Sequence, residues 1–500
     1  MLIQKHSFAI VSSILAMFCV YVLFPFQTST LDGFSYAVCV QHGEQLFAPH
    51  HLFYTSSNCL FYNILKAFGL QVEVMAMMKF VNALSAVAAL SILALILEKF
   101  NPKATSNISW IVLAGISFGT LRFATDVETY IMPTISSLLG SYILILNKEK
   151  LTHSAIVLAS FFAAFACLFH QIHFFWWLSL GFYVWLTQKS TKSLLFYFLP
   201  ALIVPLTYLA VLVWYNHSSF SLATFFQFVF HDYLNGQADV AVGLKGVLLS
   251  GINFGRTFYQ VHGYMGGLFH IYPTLCIILF LFTLILLFFA IRAAFTIKVH
   301  SQQVAFRNAH LMLLVMQFVF AALSDGNAEF MAVMLFQIPI VVALSFKDYE
   351  KMLAYFASSV LVWNIGMAAI PMHYIDMTGD KPLVDFMYNN KQALFILNNR
   401  PKADNMLRYY YNEVLNVEKV VTNVSNDSIH QAVTQRIDSF LDAKLPVYTD
   451  ALDSSAAFSR ETMLADVDKS FFASWNAIAS DTLRFGMGNR VLTRLEYKIK

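Results

Sequence analysis

Charged residues are scarce in this 500-residue chain, at 12% of the total, whereas hydrophobic residues make up 58%. An average soluble domain carries about a quarter charged residues, so the composition argues for lipid as the solvent of most of the chain. Cysteine is also rare, with five residues, too few for a disulfide framework. Cys19, Cys167 and Cys276 fall in apolar runs and read as small apolar fillers. Cys39 and Cys59 share one long loop, where a disulfide and two thiols are both compatible with the sequence. The C-terminal quarter has no Gly-rich phosphate loop and no Cys/His metal spacing, and the chain has no basic patch of the kind that binds nucleic acid. A net charge of +3 agrees with that last exclusion.

The few charges are placed unevenly. Of 61 Asp, Glu, Lys and Arg residues, 31 lie from Met372 onward, in a quarter of the chain. Two objects are expected: a polytopic membrane domain over residues 1–371 and a small water-soluble domain over 372–500. A lipid-exposed segment must satisfy its own backbone groups, and apolar runs of about 20 residues do so as helices. The runs predict an all-α bundle of about eleven transmembrane helices, near 7–26, 74–97, 106–122, 130–146, 154–169, 173–187, 193–215, 264–290, 308–324, 329–346 and 352–371. The first apolar run is too long for a cleaved signal peptide and lacks a cleavage site, so it is expected to stay as an anchor. The polar break His170-Gln171-Ile172-His173 splits 154–187 into a hairpin.

Lys and Arg concentrate in alternate short loops, such as Lys99, Lys103, Lys148, Lys150, Lys189 and Lys192. This bias places the N-terminus in the cytoplasm and the C-terminal domain outside it, most simply across a bacterial inner membrane. The sequons at Asn216, Asn423 and Asn426 would face the lumen of an endoplasmic reticulum, which keeps that location open. The tail reads as a small α/β domain. Its β-rich runs are Ala393–Leu397, Lys419–Val424, Leu445–Thr449 and Arg494–Ile499, with a helical pattern at Ser428–Asp442. A lid or a partner-binding domain is the expected role.

The two long loops, 27–73 and 216–263, and most histidines and acids outside the tail fall on the outer face. Long loops on a rigid bundle are where sites concentrate. The first contains Thr30-Leu31-Asp32-Gly33-Phe34-Ser35-Tyr36 and Leu46-Phe47-Ala48-Pro49-His50-His51-Leu52-Phe53-Tyr54. A second outer segment is Thr125-Asp126-Val127-Glu128-Thr129-Tyr130, of D-x-E form, and a third is Ser324-Asp325-Gly326-Asn327-Ala328-Glu329-Phe330. Together these motifs and the helix order resemble the GT-C superfamily of polytopic glycosyltransferases, which use polyprenyl-phosphate-linked sugars.

The resemblance implies sugar transfer to an extracytoplasmic lipid, protein or glycan acceptor. Such a transfer needs a carboxylate to take the acceptor's proton, and Asp32 is the candidate base; as a residue before Gly33 it also suits a simple turn. Asp126 and Glu128 leave an extended segment on one side, which suits a shared divalent cation such as Mg or Mn, or a second contact to the acceptor. Capping of the helix near Tyr130 is the structural alternative. For the lipid phosphate, the outer-face donors are His50, His51, Arg122, Lys245, Arg256 and His262. Asp325 and Glu329 are candidate substrate-binding acids. The run Ser221–Leu234, with Phe225, Phe226, Phe228 and Phe230, suggests an apolar segment on the outer surface or a packed loop helix. A transporter or flippase would show internal repeats and midplane charges, neither of which is evident. A non-catalytic membrane scaffold presenting the tail would be indifferent to Asp32, Asp126 and Glu128.

Overall fold

A computed structural model describes residues 2–100, 103–234, 243–261, 263–453 and 467–498. The chain divides into two compact units. One comprises Met1–Pro25, His42–Gln260 and Ile278–Ala369, and the other Phe26–Gln41, Val261–Ile277 and Ile370–Lys500.

Helices dominate the first unit, and every predicted apolar run overlaps one. Among the described residues five are long and apolar enough to cross a membrane: Val74–Glu98, Thr191–Tyr215, Pro273–Ala294, Val304–Leu323 and Glu350–Tyr374. Shorter apolar helices are Phe8–Leu23, Ile131–Leu146, His153–Phe169 and Glu329–Ser345. The run predicted as one helix at 264–290 is two, because Met265–Ile271 ends at Tyr272 and Pro273 opens the next. Proline suits a first helical position, where its missing N–H is no loss.

The hairpin at 154–187 is present. His170, in extended backbone, closes helix His153–Phe169, a 3-10 turn covers Gln171–His173, and helix Phe174–Gln188 returns. Trp177 donates to Ser160 Oγ at 3.1 Å, which pins the returning helix of the hairpin against the outgoing one.

The predicted helix 106–122 is bent. Segments Thr105–Ile116 and Phe118–Thr125 meet at 59°. A bend frees backbone carbonyls, and in an apolar interior each must find a new donor. Asn364 supplies it: its Nδ2 lies 2.7 Å from the Ile116 carbonyl and 2.7 Å from the Phe258 carbonyl. Its Oδ1 accepts from the Gln260 N–H at 3.0 Å. One fully buried amide thus fastens the bend to the end of helix Leu244–Phe258. That is how Arg122, on the shorter limb Phe118–Thr125, acquires a fixed place.

Within the loop predicted at 27–73 lie two helices, Leu31–His42 and Leu52–Ala67. Cys59 is a buried, unbridged thiol, so no disulfide joins it to Cys39.

The second unit is built on a five-stranded sheet. Its strands are β1 (Leu394–Leu397), β2 (Val417–Lys419), β3 (Val447–Thr449), β4 (Trp475–Phe485) and β5 (Gly488–Tyr497), in the order β2-β1-β3-β5-β4. β1 is parallel to both its neighbours and buried at every residue, as an apolar central strand covered on two faces should be. β5 runs antiparallel to β3 and to β4. Leu394, Ile396, Val433, Ile437, Val447, Trp475 and Leu495 form the core on one side.

Two strand expectations are corrected. The run at 419–424 leaves the sheet after Lys419, because Thr422 and Ser425 close a turn, the Thr422 N–H donating to Ser425 Oγ at 3.0 Å. The hairpin of β4 and β5 is longer than the predicted Arg494–Ile499. Its first strand went unread because small and polar residues, Asn476, Ala477, Ala479 and Asp481, dilute its apolar alternation.

Buried charge holds this unit together. Asp380 meets Lys402 Nζ at 2.8 Å and Arg490 Nη1 at 2.9 Å, and the other arm of Arg490 meets Asp450 at 2.8 Å. Burial alone would raise the Asp380 carboxyl, but Lys402 and Arg490 hold it well below the usual carboxylate range. A carboxyl depressed on folding adds stability that is present above its unfolded value, near 3.9, and is lost as pH falls further. Protease resistance of the tail in the full chain is therefore expected to drop as pH is lowered below about 4. In Asp380→Asn the tail is expected to be less resistant at pH 7 and to show a shallower acid loss.

Candidate functional site

Three of the sequence motifs converge in the first unit around Arg122. Its Nη2 lies 3.0 Å from Glu329 Oε1 and 3.5 Å from Glu128 Oε1. Tyr130 donates its hydroxyl to Glu329 Oε2 at 3.1 Å, and its ring stacks on Phe123 with centroids 4.5 Å apart. Glu128 is almost wholly buried, whereas Arg122 and Glu329 are partly accessible, so the centre has one buried and one open side.

The D-x-E segment is held by its backbone. Asn82, fully buried within helix Val74–Glu98, lies with Nδ2 2.9 Å from each of the Asp126 and Glu128 carbonyls. Asp126 Oδ1 accepts from the Val127 N–H at 2.8 Å, and its carboxylate is 4.0 Å from Lys79. Neither acid caps the following helix: its N-cap is Tyr130, without a side-chain cap. The expectation of a shared cation meets an obstacle here, since each carboxylate already faces a basic side chain, Lys79 or Arg122. Among the described residues no group of three His, Cys, Asp or Glu is placed to hold a metal ion.

The third motif forms a tight turn after helix Val304–Leu323. Asp325 and Gly326 both have left-handed φ, at 55° and 74°, and the Gly326 N–H returns to the Ala321 carbonyl at 2.9 Å. Asn327 Oδ1 accepts from the Glu329 N–H at 2.9 Å, which aims the Glu329 segment. Asn253, on helix Leu244–Phe258, donates to the Gly326 carbonyl at 2.5 Å, and its Oδ1 receives Arg256 Nη1 at 2.6 Å. Among the described residues Arg256 is therefore partnered by an amide and by no carboxylate, and burial and then the repulsion of Arg122 work against its charge. Asp325 points away: it is exposed and 3.9 Å from the exposed Lys245.

The Pro-His-His segment is fastened to the hairpin apex. The Gln171 N–H donates to the His50 carbonyl at 3.3 Å, and Tyr208 donates its hydroxyl to the Pro49 carbonyl. Gln171 Nε2 sits 2.8 Å from that hydroxyl and donates to the Val229 carbonyl at 3.1 Å. His50, His51, His170 and Tyr130 then follow one another in ring contact, with centroids 4.1, 4.5 and 4.6 Å apart. Beside them opens an apolar cavity of 540 Å³, whose wall includes Gln171, Phe175, Tyr208, Phe225, Phe226, Phe230 and Phe320. The run Ser221–Leu234 supplies part of this wall as helices Leu222–Val229 and His231–Leu234.

Of the sequence candidates, Arg122, Glu128, Glu329, Arg256, His50 and His51 thus share one neighbourhood, with Asp126 behind it. Lys245 and Asp325 form a separate exposed pair. Asp32 belongs to the second compact unit, exposed in the first turn of helix Leu31–His42. His262 lies outside the described residues. Sequence reading missed Asn82, Asn253 and Gln171; the signal for Asn82 was present, as a lone amide within an apolar helical run.

Among solved structures, the chain is similar to ArnT from Cupriavidus metallidurans bound to undecaprenyl phosphate. Identity is 10% and the TM-score 0.51, over 97% of this chain and 97% of that one. ArnT from the same organism in the apo state matches with 11% identity and a TM-score of 0.41, over 99% of this chain and 98% of that one. No family model and no curated protein matches the sequence. At this identity the first similarity speaks to fold alone: the chain has the fold of ArnT.

A Cβ on Gly326 would stand 2.8 Å from Leu249 Cβ and 2.9 Å from the Ser250 nitrogen, at a φ that side chains rarely adopt. Gly326→Ala is expected to cost about 1–3 kcal/mol, measured as a lowered melting temperature of the purified protein in detergent.

Proposed function

We propose that this protein is a membrane glycosyltransferase that moves a sugar from a polyprenyl-phosphate donor to an extracytoplasmic acceptor by direct displacement, with Asp32 as general base. The observation that carries the reading is an apolar cavity large enough for an isoprenoid chain, whose wall at Gln171 adjoins a cluster of imidazole groups. ArnT, whose fold this chain shares, was solved bound to undecaprenyl phosphate, and a lipid of that chemistry suits this pairing. Phe175, Phe225, Phe226, Phe230 and Phe320 would take the isoprene units, and the polar wall near Gln171 would face the phosphate.

The two arginines have different parts in this account. Arg122 spends its charge on Glu128 and Glu329, so it is foremost the organiser of the site. Arg256, held only by an amide, keeps its charge for a phosphate, and a guanidinium recognises phosphate with directional paired donors. His50 and His51 add donors. Glu329, half open beside Tyr130, would bind the acceptor or sugar, with Glu128 as its buried counterpart. In the displacement, the acceptor oxygen bonds to the anomeric carbon as the phosphate leaves, and the acceptor's proton passes to Asp32. Eleven membrane crossings, a cytoplasmic N-terminus, residues 1–371 as the membrane domain and 372–500 as an extracytoplasmic domain complete the proposal.

Purified protein in lipid, given a panel of radiolabelled polyprenyl-phosphate sugars, is expected to transfer label from at least one to an acceptor extract. Asp32→Asn is expected to abolish transfer while leaving the melting temperature unchanged. Arg256→Gln is expected to raise the donor KM by on the order of tenfold or more, the worth of one charged hydrogen bond. Equal transfer by wild type and Asp32→Asn would remove Asp32 from the role, and absence of transfer from every donor would overturn the reading.

A further inference from the structure

The helix that carries the candidate base is packed with the C-terminal residues: segment Phe26–Gln41 and segment Ile370–Lys500 fall in one compact unit. The contacts are specific and run the length of the segment. Before the helix, the Gln27 N–H donates to the Met372 carbonyl at 2.9 Å, and the Met377 N–H donates to Thr28 Oγ1 at 3.4 Å. The start of the helix is capped within the segment itself, Thr30 Oγ1 accepting from the Gly33 N–H at 2.9 Å. In its middle, the buried Phe34 ring meets Tyr409 edge-on and Tyr410 at a tilt, each with centroids 5.9 Å apart. At its end, Gln41 Nε2 reaches the Tyr409 carbonyl at 3.5 Å.

Residues two apart on a helix are about 200° apart around its axis. With Phe34 turned into Tyr409 and Tyr410, Asp32 is therefore presented on the opposite, exposed side. Tyr409 and Tyr410 lie on helix Arg400–Tyr411, and that helix is itself anchored. Asn399 Oδ1 accepts from the Lys402 N–H at 3.3 Å, and Lys402 enters the buried Asp380–Arg490–Asp450 network that reaches the sheet. A rigid path thus leads from the sheet through Lys402 and the tyrosines to Phe34 and Asp32.

The geometry points to a role for the C-terminal domain that exceeds a lid: it is the mount of the general base, with Tyr409 and Tyr410 as positioning residues acting through Phe34. The inference rests on the reading of Asp32 as the base. A base works within hydrogen-bond reach of its proton, and a displacement of about 1 Å costs on the order of a hundredfold in rate. Loss of the aromatic contact should therefore lower turnover and leave binding of the donor lipid intact.

The test uses the full chain in lipid and the donor found to be active. The double variant Tyr409→Ala/Tyr410→Ala is expected to lose on the order of tenfold or more in kcat, with a donor KM within about twofold of wild type. The double variant Tyr409→Phe/Tyr410→Phe, which keeps both rings, is expected to restore kcat. Phe34→Leu tests the same contact from the other side, and is expected to reproduce the kcat loss should the alanine variant fail to fold. A kcat within twofold of wild type in Phe34→Leu or in the alanine variant would overturn the inference, as would an effect confined to donor KM. Failure of the reading beneath it looks different: Asp32→Asn would then transfer sugar at the wild-type rate.

Discussion

A guanidinium that bridges two carboxylates in an apolar bundle is the constraint from which the surrounding part of the first unit follows. Burying a charge is costly unless it is paired and its remaining hydrogen-bonding groups are satisfied. Arg122 therefore has to meet Glu128 and Glu329 together, and these come from segments some 200 residues apart in sequence. The rest of the local architecture makes that meeting possible. The bend at Ser117, stabilised by Asn364, turns the Arg122 limb. Asn82 fixes the Asp126–Glu128 backbone, and the Asn253–Gly326–Asn327 turn delivers Glu329. Four buried or half-buried amides, none of them charged, bring the charged groups into register.

That arrangement also separates roles that look equivalent in sequence. Arg122 and Arg256 are two basic residues of one neighbourhood, yet one is neutralised by two acids and the other rests on an amide. Only the second retains the net charge that would draw a phosphate toward the apolar cavity. The imidazoles of His50, His51 and His170 are each in ring contact with the next.

Much of this was legible because polar residues are so few. In a chain with 12% charged residues, an acid at a helix end stands out, and Glu128, Glu329, Arg122 and the Pro-His-His segment were found that way. The apolar runs marked the helices for the same reason. What sequence could not show was long-range partnership. The bend at Ser117 interrupts no hydropathy pattern, and Asn364 sits within an otherwise ordinary apolar run. Nor does any local signal say that Phe34 packs on Tyr409, so the 26–41 segment read as part of the membrane loop, although it packs with the C-terminal residues. In the tail, short parallel strands buried on both faces were readable as apolar runs, but β4 was not, because its cross-strand partners in β5, not its own residues, make it a strand.

The claim that Arg122 organises the site is tested most directly by thermal melting of neutralised variants in detergent. Arg122→Gln leaves Glu128 and Glu329 facing each other in a poorly hydrated site, whereas the triple variant Arg122→Gln/Glu128→Gln/Glu329→Gln removes every charge at similar side-chain volume. Breaking a buried ion pair on one side costs about 3–5 kcal/mol, while removing all its charges is often close to neutral. The account predicts that the single variant melts well below wild type and that the triple variant recovers most of the loss. A triple variant that melts at or below the single variant would contradict it.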